Sequence, residues 1–391
     1  MIYNEGTYNK SWETLKLSDL GDFSRGLSKH RPRNDSRLFE GGGYPLVQTG
    51  DIKAANLYIL NHEQEYGEFG LAQSKLWDEG TLCITIAANI AETAILGYPM
   101  CFPDSVVGFK ADREKSSELF MYYVFEYIRD SIQNSASGSI QDNINIDYLT
   151  SLEFKIPSKC YQDKIVKILS DIDKKIINNK RINDNLQNQL TLMFDYFFNN
   201  SHHSKVFANG VLADISYITM GQSPSGDTYN EIGAGIPFYQ GSTDFGEIFP
   251  TIRVYTTEPS REACLLDTLM SVRAPVGTMN IAYENCCIGR GLAAIRGKNN
   301  NNTFVRYLLK RNKWYFDAIN NSGTTFGSIT KDYLYGMPII IPDTESVEEF
   351  EDIAQSYESK IFRNETETRA LSKLRDWLLP MLMNGQLVIS D

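Results

Sequence analysis

The chain has 391 residues, 42% of them hydrophobic and 12% aromatic, with 38 Lys and Arg against 49 Asp and Glu for a net charge of −11. That length exceeds one ordinary core and predicts two or three domains, with enough apolar content to fill them. The acidic balance excludes indiscriminate nucleic-acid binding by phosphate neutralisation, but not a local basic surface or DNA binding shared with other subunits.

The N-terminal "MIYNEGTYNKSWETLKL" lacks the apolar core of a secretory signal, and no apolar run approaches the ~20 residues that span a bilayer. Cytoplasmic residence with no membrane association is therefore the expectation. The first notable segment is "SRGLSKHRPRNDSR", where Arg25, Lys29, His30, Arg31, Arg33 and Arg37 form the densest basic cluster of the chain. Contact with phosphates and guanine edges is the functional reading, and an ordinary solvated loop is the competing one. Next, "YPLVQTGDI" sets Gln48 and Thr49 just after a short β segment. A glutamine amide has the donor and acceptor to read adenine bidentately, although turn chemistry explains the same residues.

"TLCITIAA" and "TAILGYPM" carry the β-branched residues of strands, and "SSELFMYYVFEYIRDSIQ" predicts a short helix. It leads into "SASGSIQDNINIDYLTSLEFKIP", a Ser/Gly loop ahead of a closing strand, where Ser137, Ser139 and Gln141 can donate to phosphates. Such loops more often serve as caps and turns.

From there Ile165, Ile168, Ile172, Ile176, Asn179, Ile182, Leu186, Leu190, Met193 and Phe197 recur at steps of three and four. This is the seam of a long coiled-coil helix, about 55–60 Å in length. The polar "NNSHHSKVFANG" that follows predicts a linker.

The remainder repeats this plan. "IPFYQGSTDF" resembles the Gln48 segment, pairing Gln240 with Gln48 at a separation of 192, and brings Ser242 and Thr243. Gln222 and Ser223 join these as candidate DNA contacts, as do Arg273 in "SVRAPVG" and Arg290 in "IGRGLAAIR". Glycines beside Arg290 permit close backbone approach, while a local carboxylate could equally anchor that arginine. "NNSGTTFGSITKDYLYGMPIIIP" then matches the earlier junction at a separation of 185, supplying Thr324, Thr325 and Ser328. A second seam follows through Phe350, Ile353, Tyr357, Ile361, Asn364, Leu371, Leu374, Leu378 and Leu382, still at 185 where Asn364 answers Asn179. A buried Asn fixes helix register at a cost in stability, so the two helices are expected to pair, and antiparallel if the repeat packs about a pseudo-twofold axis.

The organisation read from these elements is α+β. Two β-rich globules, 1–158 and 201–343, alternate with a central helix at 159–200 and a C-terminal helix at 344–391. Catalytic signatures do not turn up. There is no phosphate-binding G-x-x-x-x-G-K-[ST], no Pro-Pro dipeptide of the kind adenine methyltransferases carry, no G-x-S-x-G and no H-E-x-x-H. The six cysteines and four histidines lack metal-ligand spacing, so no metal is expected. Asp104 with the distant Glu153 and Lys155 only distantly imitates a nuclease.

The paired "SASGSIQDNINIDYLTSLEFKIP" and "NSGTTFGSITKDYLYGMPIIIP" junctions, the seam helix after each, "CIGRGLAAIR" and the "LSKLRDWLLPMLMNGQL" ending resemble the specificity subunits of Type I restriction–modification enzymes. The resemblance covers essentially the whole chain. It implies two target-recognition domains, each reading one half of an interrupted double-stranded DNA target, with no catalysis and no cofactor in this chain. The helices would act as spacers and as docking surface for two modification (methyltransferase) subunits. Those subunits would use S-adenosylmethionine to methylate adenine at N6. Restriction subunits would join for ATP- and Mg²⁺-dependent translocation and cleavage. Two other readings remain open: a free-standing methyltransferase or nuclease, against which the missing motifs weigh, and a coiled-coil scaffold for proteins.

Overall fold

The computed structural model describes residues 4–87, 89–137, 146–199, 207–321 and 327–389. By contacts the chain divides into two compact units, Met1–Asn179 with Glu367–Asp391, and Lys180–Thr366.

Each unit contains a β-rich globule closed by a strand pair that joins its beginning to its end. In the first, Glu13–Lys16 runs antiparallel to Glu153–Ile156, with Glu13 opposite Ile156. The side chain of Asn4 extends this closure, donating to Lys155 O and accepting from Lys155 N, both at 2.7 Å. In the second, Phe207–Val211 runs antiparallel to Pro338–Pro342. The "DYL" of each junction lies on a short helix just ahead of the closing strand, Ile146–Ser151 and Lys331–Tyr335. Leu149 and Leu334 on those helices are fully buried, each worth about 2 kcal/mol of apolar burial. That explains why the chain repeats this stretch: it is the latch of each globule.

Behind the latch, each globule has two small sheets with matching order. The first unit stacks Gly21–Arg25, Val106–Ala111, Leu82–Thr85, Thr93–Leu96 and Tyr58–Ile59, the second Ser216–Met220, Leu292–Gly297, Thr268–Ser271 and Met279–Ile281. The other sheet runs Gln64–Tyr66, Tyr44–Leu46, Met100–Cys101, Leu76–Trp77 in the first unit. Its counterpart orders Tyr255–Thr256, Ile236–Tyr239, Cys286–Ile288, Glu262–Ala263, with Tyr229–Asn230 added outside. The helix expected before the first junction is Glu118–Ser137. The one before the second is broken into Asn302–Arg311 and Lys313–Asn321 at Asn312, whose side-chain amide donates to the carbonyl of Leu308 (2.9 Å) beside its own backbone N–H (3.1 Å).

The long helices are Lys159–Phe198 and Thr344–Met383, 40 residues each, so both of their bounds keep the separation of 185. Within each unit they pair antiparallel. In the first, Tyr161 Oη donates to Leu387 O (2.7 Å), Asp173 meets Arg375 (3.1 Å), and Asn179 Nδ2 donates to Glu367 (2.8 Å) and to Thr368 Oγ1 (3.4 Å). In the second, Asn364 Nδ2 donates to Asn183 Oδ1 (2.9 Å), and the Phe194 and Phe350 rings lie 5.7 Å apart. Asn179 with Thr368 and Asn364 with Asn183 are therefore the same contact written twice.

The seam differs from a plain heptad pattern. Ile165, Ile176, Asn179, Phe350 and Ile361 are buried, and Ile168, Ile172, Leu186, Met193, Tyr357, Asn364, Leu371 and Leu378 are half-buried. Ile182 and Ile353 are exposed, with Asn183 and Ala354 buried in their place, and Leu374 is exposed as well. The reason is that the helices also pack on the globules. Tyr123 Oη donates to Asp173 (2.7 Å), and Phe194 lies against Phe304 and Tyr307 as well as Phe350. A helix with two partners buries a wider arc than an a/d stripe.

Candidate nucleic-acid interface

In the second unit, several separated segments of the chain are drawn together at one end of the sheets by backbone hydrogen bonds. Gln222 N donates to Ile288 O (2.9 Å), Gly289 N to Tyr239 O (2.8 Å), Val272 N to Gly291 O (2.9 Å), and Ile329 N to Val272 O (2.9 Å). Five residues singled out in the sequence, Gln222, Gln240, Arg273, Arg290 and Ser328, thereby become neighbours of one bonded frame. Arg273 and Ser328 also form an isolated antiparallel bridge. Gln222, Gln240, Thr243, Arg273, Arg290 and Ser328 are exposed, and Ser223 and Ser242 half-exposed.

The glycines around Arg290 serve this frame. A Cβ on Gly291 would stand 2.5 Å from Gln240 O, so the close approach expected there is made to the neighbouring strand. The carboxylate-anchored arginine of this stretch is Arg296, paired with Asp267 at 2.7 Å; Arg290 has no ion pair among the described residues. Asp244 accepts from Gln240 N (2.6 Å) and pairs with Arg253, which also donates to Thr243 Oγ1 (3.2 Å).

The first unit builds the same frame from other residues. Gly26 N donates to Val106 O (2.8 Å), Leu27 N to Phe102 O (3.2 Å), Val47 N to Cys101 O (2.9 Å), and Ile86 N to Ser105 O (2.9 Å). Arg25 and Gln48 thus take the places that Met220 and Gln240 hold in the second unit, with Thr49 opening the helix Thr49–Ala54 beside Gln48. The basic cluster lies here, but much of it is tied internally. Arg31 and Arg33 both reach Asp104, at 3.5 and 2.5 Å, while Asp35 binds His30 (2.8 Å) and Arg37 (2.6 Å). The Arg37 guanidinium, then His30, hold the Asp35 carboxyl far below the usual carboxylate range, which keeps it anionic as the cap of the turn Ser36–Leu38. Arg25 and Lys29 have no ion pair among the described residues. Asp104, the nuclease-like aspartate, is thereby paired with arginines, and the Lys155 ammonium donates to Trp12 O at 3.4 Å.

A hollow of about 390 Å³ opens beside this loop, lined by Ser28, Arg33, Asn34, Gln48, Gln64 and Tyr66 among others. Ser28, Asn34, Gln64 and Tyr66 were not legible as candidates; Gln64 faces Leu46 across a strand pair whose register only the fold reveals. A larger hollow of about 660 Å³ in the second unit is rimmed by Glu348, Glu351, Asp352 and Glu358, a charge set that repels phosphate. Ser139, Gln141, Thr324 and Thr325 lie outside the described residues, as does the side chain of Ser137. Among the described residues no group of three His, Cys, Asp or Glu is placed to hold a metal ion, and no helix is long and apolar enough to cross a membrane.

The chain has relatives among known proteins. Residues 9–188 and 205–371 each match the family model for the Type I restriction modification DNA specificity domain. Two type I restriction enzyme specificity subunits of Methanocaldococcus jannaschii align along the chain: MjaX at 27% identity over 98% of this chain and 95% of its own length, MjaIX at 25% over 99% and 96%. In fold the chain is similar to the crystal structure of the Type I restriction–modification S subunit from M. genitalium, with a TM-score of 0.62 over the full length of both chains and 16% identity.

Proposed function

The chain belongs to the Type I restriction modification DNA specificity family, and from that premise we propose how its two units divide the work of reading DNA. It recognises DNA sequence and has a non-catalytic role in a restriction–modification complex. Each globule reads one half of a two-part target with the loops gathered at its bonded end. The observation that carries this is the repeated frame, which places Gln48 and Gln240 at the same point of two separately closed globules. Amide, hydroxyl and guanidinium groups on such a frame can meet base edges and phosphates together.

The globules at 1–158 and 201–343 act as the target-recognition domains. The helices at 159–200 and 344–391 set the gap between the half-sites and dock two modification subunits. Those partners bind S-adenosylmethionine and methylate adenine at N6; restriction subunits add ATP- and Mg²⁺-dependent cleavage of the DNA. This chain itself binds no cofactor, and the complex works in the cytoplasm. The net charge of −11 favours a DNA clamp shared with partners over tight binding by the chain alone.

One experiment tests this. The chain is co-expressed with its modification subunits, and methylated adenines are mapped genome-wide. The expected motif has two short specified halves and an unspecified gap. Inserting residues into both long helices should lengthen the gap and spare the halves; altered halves with an unchanged gap would overturn the spacer role.

A further inference from the structure

Resting on the DNA-reading assignment above, we propose that Gln64 is a positioning residue that turns the Gln48 amide so that the first unit reads an adenine. Strand Tyr44–Leu46 pairs antiparallel with Gln64–Tyr66, which sets Gln64 opposite Leu46 and within reach of Gln48. Gln48 Nε2 donates to Gln64 Oε1 at 3.2 Å, and both side chains line the 390 Å³ hollow beside Arg33. The Gln48 backbone is pinned separately, its N–H donating to Asp51 Oδ2 at 2.7 Å.

The chemistry follows from which end of the amide is engaged. With one N–H committed to the Gln64 oxygen, Gln48 presents its own oxygen and its remaining N–H. That acceptor–donor pair complements the N6–H donor and N7 acceptor of adenine in the major groove. Were the neighbour a donor instead, the Gln48 oxygen would be engaged and two N–H groups would face outward. Two donors suit guanine, whose O6 and N7 both accept. The oxygen of Gln64 thus decides between two purines without touching either.

The second unit contains the control. Gln240 occupies the same place, following a strand that pairs parallel with Cys286–Ile288 as Tyr44–Leu46 does with Met100–Cys101. Phe238 N donates to Val254 O at 2.8 Å, so Val254 stands where Gln64 stands in the first unit. Valine cannot hold an amide, and the Gln240 side chain has no hydrogen-bond partner among the described residues.

The test uses the complex of this chain with its modification subunits and maps methylated adenines for wild type, Gln64→Glu, Gln64→Leu and Gln64→Lys. Wild type and Gln64→Glu, in which a carboxylate still accepts, should require adenine at one position of one half-site. Gln64→Leu should lower the adenine-over-guanine preference there on the order of tenfold, and Gln64→Lys should move it toward guanine. The other half-site stays as it was in every variant. An unchanged motif with Gln64→Leu and Gln64→Lys overturns the proposal, and so does equal loss of all methylation with Gln64→Glu and Gln64→Leu, which would mark a purely structural residue. A wild-type complex with no two-part motif overturns the DNA-reading assignment itself, and this inference with it.

Discussion

The two globules share a frame and differ in how they charge it. At the loop beside Gln48, the first unit places Asp104, which gathers Arg31 and Arg33 from a distant loop. The second unit places Arg290 at the corresponding position, between Gly289 and Gly291, and leaves it unpaired among the described residues. One globule imports its positive charge and orients it with a carboxylate; the other carries it on the frame. The glutamines differ in the same manner, one held by Gln64 and the other with Val254 at the corresponding strand position. What has to be the same in both copies is backbone pairing, and what is free to differ is the side chain presented on it.

The helix-facing sides diverge too, and the largest expected effect lies there. Glu358 pairs with Arg306 at 2.8 Å, and Arg306 is only 2% exposed. Glu358→Ala strands that guanidinium and should cost the second unit about 3–5 kcal/mol in chemical denaturation. Asp173→Ala in the first unit leaves Arg375 about a third exposed, so its loss should be smaller, about 1–2 kcal/mol. Equal losses would break the contrast.

Arg290→Ala should weaken target binding by the complex about tenfold and lower the salt slope by about one, as titrations at several salt concentrations would read. The half-site read by the first unit should be untouched.

Lys310 in the second unit is held down to about 8, mainly by burial and then by Arg306. Its folded form releases a proton that the unfolded form keeps up to about 10.5, so stability should rise with pH from about 8 toward 10. Above that, Tyr307, whose phenol burial pushes up, works in the opposite direction because its unfolded form ionises first. Lys310→Met should stabilise the unit near neutral pH and erase the rise, measured by urea midpoints across the range.

Val254→Gln should supply the missing partner to Gln240 and sharpen adenine preference in the other half-site by about fivefold in methylation maps. The smallest effect belongs to Asp104→Asn. Its ion pairs are solvent-exposed, so stability should change by less than about 1 kcal/mol, while discrimination in the first unit's half-site falls.

Much of this architecture could be read along the chain. The separation of 185 foretold both long helices, which end at Phe198 and Met383, short of the 159–200 and 344–391 read from the sequence, and the two closing strands after the repeated "DYL", because each is a local pattern of apolar spacing and turn residues. The equivalence of Gln48 and Gln240 was legible as well, despite loops of unequal length between the copies. The outward turn of Ile353 was not, since its seam position depends on a globule packed beside the helix.

By itself, then, the sequence determined the duplication and the element types. Tertiary structure alone decided that the helices run antiparallel within each unit, that Asp104 meets Arg31 and Arg33, and that Gln64 meets Gln48 where the second unit has Val254 in register. The physical reason is the range of the interaction. Helix and turn preferences act over a few residues and leave their mark in the local sequence. The neighbour across a strand pair is set by register, and one residue of slip would replace Gln64 with another side chain.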